Sequence, residues 1–165
     1  MAVVNTKGTL ITNLDASPLV NESVTQYSGK LRCQFETLEV ANGDSIASTL
    51  RFARIPSSAK IASIRIFCDA ITSAAADIGL YRTLADGGAV VDVDAYATAQ
   101  SIASAITTGT EVMFEARNID KARNYVWQDA GLTTDPKVQY DVVLTLTAAA
   151  TAAGTVTLEV WYVVD

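Results

Sequence analysis

Residues 138–164 read VQYDVVLTLTAAATAAGTVTLEVWYVV. Two alternating runs flank a loop of small residues. In the first run Val138, Tyr140, Val142, Leu144 and Leu146 share one face, and Gln139, Asp141, Thr145 and Thr147 share the other. In the second, Val156, Leu158, Val160, Tyr162 and Val164 alternate with Thr155, Thr157 and Glu159. Period two is the spacing of a strand with one buried face. The connecting residues 148–154 are too many for a tight two-residue turn. At the end of the second run Trp161 and Val163 make the polar face apolar as well. Those two side chains need a cover. Three are available: a short helix of the same chain, its N-terminal segment, or a neighbouring subunit.

Upstream the pattern repeats as short apolar runs separated by turns. LRCQFETLEV (31–40) carries Leu31, Cys33 and Phe35 at period two, then shifts phase before Leu38 and Val40. Such a shift predicts a bulge or bend. ANGDS (41–45) is a turn. Ile46, Leu50 and Phe52 fall on one face of IASTLRFARI, and Ala62, Ile64, Ile66 and Cys68 on one face of IASIRIFCDA. DIGLY, VVDVDAY and EVMFEA read as further strands. One stretch, about 119–130, reads as a helix, with Asp120 able to cap its start and Gly131 its end. About eight short strands with one short helix are the signature of an all-β, jelly-roll-like sandwich. In a jelly roll the last two strands belong to opposite sheets, so the loop 148–154 is expected to cross between them. The sandwich is expected over 31–165.

Residues 1–30 differ from the rest. They hold turn formers, a proline and no sustained period, yet Val3, Val4, Leu10, Ile11, Leu14, Leu19 and Val20 are many apolar residues for a solvated tail. They predict an extended arm that orders against other subunits. The start of the chain lacks a basic stretch followed by an apolar one, and no run of about 18 apolar residues occurs, so neither a signal peptide nor a membrane span is expected.

Composition narrows the chemistry. The chain has 165 residues, enough for a core without staples. Half are apolar and only 18% are charged, against about 25% in ordinary soluble domains. A surface poor in charge suits one that is covered by partners. The net charge of −6 argues against nucleic acid and anionic membranes as partners. A local basic patch has its candidates in Arg51, Arg54, Lys60 and Arg65. There is no histidine, which removes the usual general base and zinc ligand and every Ser-His-Asp or Cys-His arrangement. Cys33 and Cys68 lie in strand-like runs and are expected as free thiols within the sandwich. Asp92 and Asp94 share one strand face, which is a solvated face unless other oxygens join them around a cation. No catalytic residue, cofactor or metal site emerges, and an enzyme is not expected.

The blocks GDSIASTLRFARIPSSAKIASIRIFCDA (43–70), DIGLYRT (77–83), NIDKARNYVWQDAGLTTDP (118–136) and VQYDVVLTLTAAATAAGTVTLEVWYVVD (138–165) resemble the capsid decoration, or cement, proteins of tailed bacteriophages. The likeness lies in a strand ending in an Arg-Ile-Pro turn, a next strand ending in Asp-Ala, and an Ala/Thr/Gly loop before a last strand ending in WYVVD. It spans about residues 43–165 and leaves the N-terminal segment uncovered. It implies a jelly-roll-like sandwich that self-associates and binds the outer face of a capsid built of a major capsid protein. Its place would be the virion surface, after assembly in the host cytoplasm. It implies no catalytic residues. A homo-oligomer, a trimer before a dimer, suits a symmetric shell. The alternative is a carbohydrate- or receptor-binding sandwich of a phage tail. Candidate subunit or capsid contacts are Val3, Val4, Leu10, Ile11, Arg51, Arg54, Trp161 and Val163.

Overall fold

First and last strands pair, second with seventh, third with sixth and fourth with fifth, so each hairpin nests inside the one before. The strands are β1 (Lys30–Val40), β2 (Thr49–Pro56), β3 (Lys60–Cys68), β4 (Ala75–Arg82), β5 (Val90–Ser101), β6 (Ile106–Glu111), β7 (Gln139–Ala148) and β8 (Gly154–Val164). They form two antiparallel sheets, sheet A in the order β1-β8-β3-β6 and sheet B in the order β2-β7-β4-β5. This is the order produced by rolling one long hairpin into two layers, the jelly roll. The loop 148–154 does cross from sheet B to sheet A. The computed structural model describes residues 6–20 and 29–164.

The core lies between the inner faces. β8 sends in Val156, Leu158, Val160 and Tyr162, and β7 sends in Tyr140, Val142, Leu144 and Leu146. Both sets follow the sequence period. Each fully buried aliphatic side chain of this kind contributes about 1.5–3 kcal/mol. Of the β7 residues expected to face out, Gln139 is exposed and Thr147 half-buried, but Asp141 and Thr145 are buried, Asp141 against Arg51 and Arg54 of β2 and Thr145 against Tyr81 of β4; Val143 beside them is buried as well. A central strand keeps its period even when both its faces are covered.

Five expectations need correction. β1 has no bulge: eleven consecutive pairs join it to β8, from Lys30–Val164 to Val40–Gly154. Its change of phase is a change of which face is apolar. Leu31, Cys33 and Phe35 therefore point outward, and Cys33 is exposed while Cys68 is buried; both are free thiols. The sixth strand is ITTGTE, not EVMFEA; Val112 and Met113 are buried in the turn that follows it. Threonines on an edge strand carry strand propensity without an apolar period, so the run left no alternation to read. The stretch 119–130 is two pieces, a 3-10 turn Ile119–Arg123 and a single helical turn α2 (Val126–Asp129), separated by extended backbone at Asn124 and Tyr125. Finally, the N-terminal segment is not wholly extended, since Thr9–Leu14 form the short helix α1.

Candidate functional site

Paired residues of an antiparallel ladder project to the same face. On the outer face of sheet A, Val163 lies between Leu31 and Lys60, Trp161 between Cys33 and Ser63, and Glu159 between Phe35 and Arg65. Leu31 is 58% exposed and Phe35 64%, while Trp161 and Val163 are half-buried. The five apolar side chains form one band. Beyond it the same face turns polar: Thr37 and Thr157 share a hydrogen bond of 2.8 Å. The Trp161 indole N–H donates to Glu159 Oε1 at 2.8 Å, which satisfies the polar edge of the ring and leaves its apolar surface to the band. Partial desolvation beside β8, and then the charge of Glu159, push the thiol of the exposed Cys33 up.

One end of the band meets the chain itself. α2 docks through main-chain bonds from Val126 to Ala59 and from Trp127 to Ser57. Tyr125 stacks on Trp127 with ring centroids 6.0 Å apart, and the Lys60 ammonium lies 4.3 Å from the centre of the Tyr125 ring. Lys60 is paired with Val163, so the α2 segment closes the Val163 end. The Leu31–Phe35 side stays open to solvent.

The outer face of sheet B is charged. A register shift between Arg51 and Ala53 makes Phe52 an extra residue, which returns Arg54 to the face of Arg51. Both arginines converge on Asp141. Arg51 Nη1 donates to Oδ2 at 2.9 Å, and Arg54 donates through Nε to Oδ1 at 2.7 Å and through Nη2 to Oδ2 at 3.1 Å. Asp141 is 4% exposed at its side chain and Arg54 48%. Arg51 is held further by the carbonyls of Arg82 and Gly88 and stacks over Tyr81. An open cleft of about 390 Å³ runs from Asp141 past Leu84 to Gln34. Gln34 ties the two sheets: its amide donates to the Arg54 carbonyl at 2.7 Å and to the Tyr162 hydroxyl at 2.9 Å, and accepts from the Arg54 N–H at 2.9 Å.

Inside, Arg117 and Asp129 form a buried pair in which one guanidinium nitrogen donates to both carboxylate oxygens at 2.9 Å. The Tyr96 and Phe114 rings flank Arg117 at 5.8 and 5.9 Å. This pair fastens the α2 turn to the rest and is closed to solvent. Asp92 and Asp94 do contact one another: burial and then the hydrogen bond between them push the Asp92 carboxyl up. Among the described residues no group of three or more His, Cys, Asp or Glu is gathered that could hold a metal. Nor is any helix among them long and apolar enough to cross a membrane.

The sequence candidates thus separate. Trp161 and Val163 come together on sheet A, and Arg51 and Arg54 come together on sheet B. Ile11 is exposed on α1. Val3, Val4 and the side chain of Leu10 lie outside the described residues. Sequence reasoning missed Leu31 and Phe35 as exposed residues. The signal was present in the phase change at Leu38, which it took as a bend in the strand.

No known family model and no curated relative matches the sequence. Among solved structures, a chain of the cyanophage Pam1 capsid asymmetric unit superposes with a TM-score of 0.56 at 13% identity, over 84% of this chain and 88% of that one. At that identity the likeness is one of fold, and it extends across nearly the whole of both chains.

Proposed function

We propose that this chain is a structural protein of a phage particle, a cement protein that binds the outer surface of the capsid and bridges its subunits. The observation that carries this reading is the apolar band of Leu31, Cys33, Phe35, Trp161 and Val163 on the outer face of sheet A, open to solvent along its Leu31–Phe35 side. The membership of the fold neighbour in a capsid supports the same reading. The mechanism is burial of surface, not turnover. Leu31 and Phe35 each offer about 1.5–3 kcal/mol on full burial against a capsid seam. Each contact is modest, but shell geometry presents many at once, and multiple weak contacts resist the outward pressure of packaged DNA. The partner is the major capsid protein at the virion surface. A net charge of −6 leaves nucleic acid and anionic membranes outside the scheme.

Co-sedimentation with empty capsids of the encoding phage, beside a glycan array, tests the proposal. Saturable binding to capsids with no glycan signal is expected. Glycan binding without capsid binding would replace this reading with a receptor-binding module of a phage tail.

A further inference from the structure

Each sheet of the sandwich has two edge strands, and three of the four are blunted against pairing. β2 carries the bulge after Arg51 and ends on Pro56. β5 shifts register repeatedly against β4. β6 is 6 residues long and contains Gly109. Bulges, prolines, short length and charged side chains are devices that keep edges from adding strands. β1 has no bulge or proline and is not short, and its charged residues Lys30, Arg32, Glu36 and Glu39 include both signs. It runs 11 residues without proline or glycine, holds an unbroken register with β8, and among the described residues has no strand along its other edge.

The geometry points to antiparallel pairing of β1 with β1 of a second copy about a two-fold axis at Cys33. In that register Cys33 faces its own counterpart, Leu31 faces Phe35 twice, Arg32 faces Gln34 twice, and Lys30 faces Glu36 twice. The last pairs opposite charges directly across the ladder, where they stabilise. Odd-numbered side chains of β1 stand on the outer face, so the apolar bands of both copies fall on one surface and join. A slip of one residue would set apolar side chains against the other face. A shift of the axis to Gln34 would set Leu31 against Thr37 and Lys30 against Leu38. The interface is isologous, as a two-fold requires. It differs from the trimer expected from sequence and goes beyond the proposed function. Two bands in one plane give the pair two attachment points on a shell.

Sedimentation equilibrium of the purified full chain, without capsids, tests this from micromolar to hundreds of micromolar. A monomer–dimer equilibrium is expected. Glu36→Lys sets like charges across the axis and should raise the dimer dissociation constant about tenfold. Adding Lys30→Glu restores opposite charges and should recover association. Diamide takes up the two thiol hydrogens as its N=N bond is reduced to a hydrazine. It should cross-link the dimer through Cys33, with the product kept in Cys68→Ser and lost in Cys33→Ser. Circular dichroism checks that each variant is folded. A monomer at all concentrations, a trimer, failure of the double variant to recover, or a cross-link that needs Cys68 would overturn the inference. Capsid co-sedimentation is read separately, so either result can fail alone.

Discussion

Asp141 accepts three hydrogen bonds from two guanidinium groups on the outer face of sheet B. Its own side chain is almost fully buried, so its charge is compensated by Arg51 and Arg54 and hardly at all by water. Asp141→Asn keeps the shape and removes the charge. It should cost about 2–3 kcal/mol, below the roughly 3–5 kcal/mol of a fully buried pair that loses one partner, because half-exposed Arg54 regains water. In thermal unfolding that is a loss of about 5–10 °C for a chain of this length. Asp69 behaves differently. It accepts from the Thr155 N–H at 2.9 Å and hydroxyl at 2.7 Å, and these bonds hold its carboxyl below the ordinary 3.8. A depressed folded value adds stability above the unfolded value and loses it as pH falls through the folded one. The stability gap between wild type and Asp69→Asn should therefore be constant above about pH 5 and close toward pH 2. A gap that widens on acidification would contradict the assignment. Neither residue's role was legible in the sequence. Asp141 sat on the polar side of a clean alternation, and its partners came from a strand about 90 residues earlier, brought round by a bulge that no local pattern marks.

At the scale of elements, the alternating strands that the core needs were legible, and the departures from regular pairing were not. β8 alternates in burial along its length, and the inward residues of β7 keep their period although its other face is covered too. β5 does not. Between the pairs Leu80–Asp92 and Ile78–Ala97 only Gly79 stands against four residues of β5. The excess is accommodated because Gly79 has no side chain: a Cβ there would collide with the carbonyl oxygens of Asp92 and Val93. Both are backbone atoms and cannot swing away. Gly79→Ala should cost about 3 kcal/mol or more, seen as a large drop in thermal midpoint or as insoluble protein. An unchanged midpoint would mean that β5 does not cross β4 there. β1 gives the converse lesson. Its apolar residues change face midway, and a sequence reader expects apolar residues to point inward. Assuming one buried face turned an exposed band into a bulge. The 119–130 stretch has helical spacing and caps but breaks at Asn124, where the buried Arg117–Asp129 pair and the docking of α2 on Ala59 decide the path of the chain. Such tertiary terms leave no local trace.

For the whole molecule, the number of short alternating strands and the long loop 148–154 made a jelly-roll-like sandwich legible early, while the nested pairing of the eight strands came with the structure. The apolar band was legible only in part, through the apolar end of β8; its other half, on β1, was read as a strand with a bulge or bend. The two halves meet only once β1 is laid beside β8. The central claim is that this band is the surface that binds a capsid. Its most direct test compares two single substitutions of exposed apolar residues, Phe35→Glu in the band and Ile119→Glu outside it, the latter at a site 74% exposed. Capsid-binding isotherms would be measured for both, with folding checked by circular dichroism. The account predicts that Phe35→Glu weakens binding at least about tenfold, from the loss of some 1.5–3 kcal/mol of apolar burial, while Ile119→Glu binds as wild type. Equal binding by all three proteins, or a loss confined to Ile119→Glu, would contradict it.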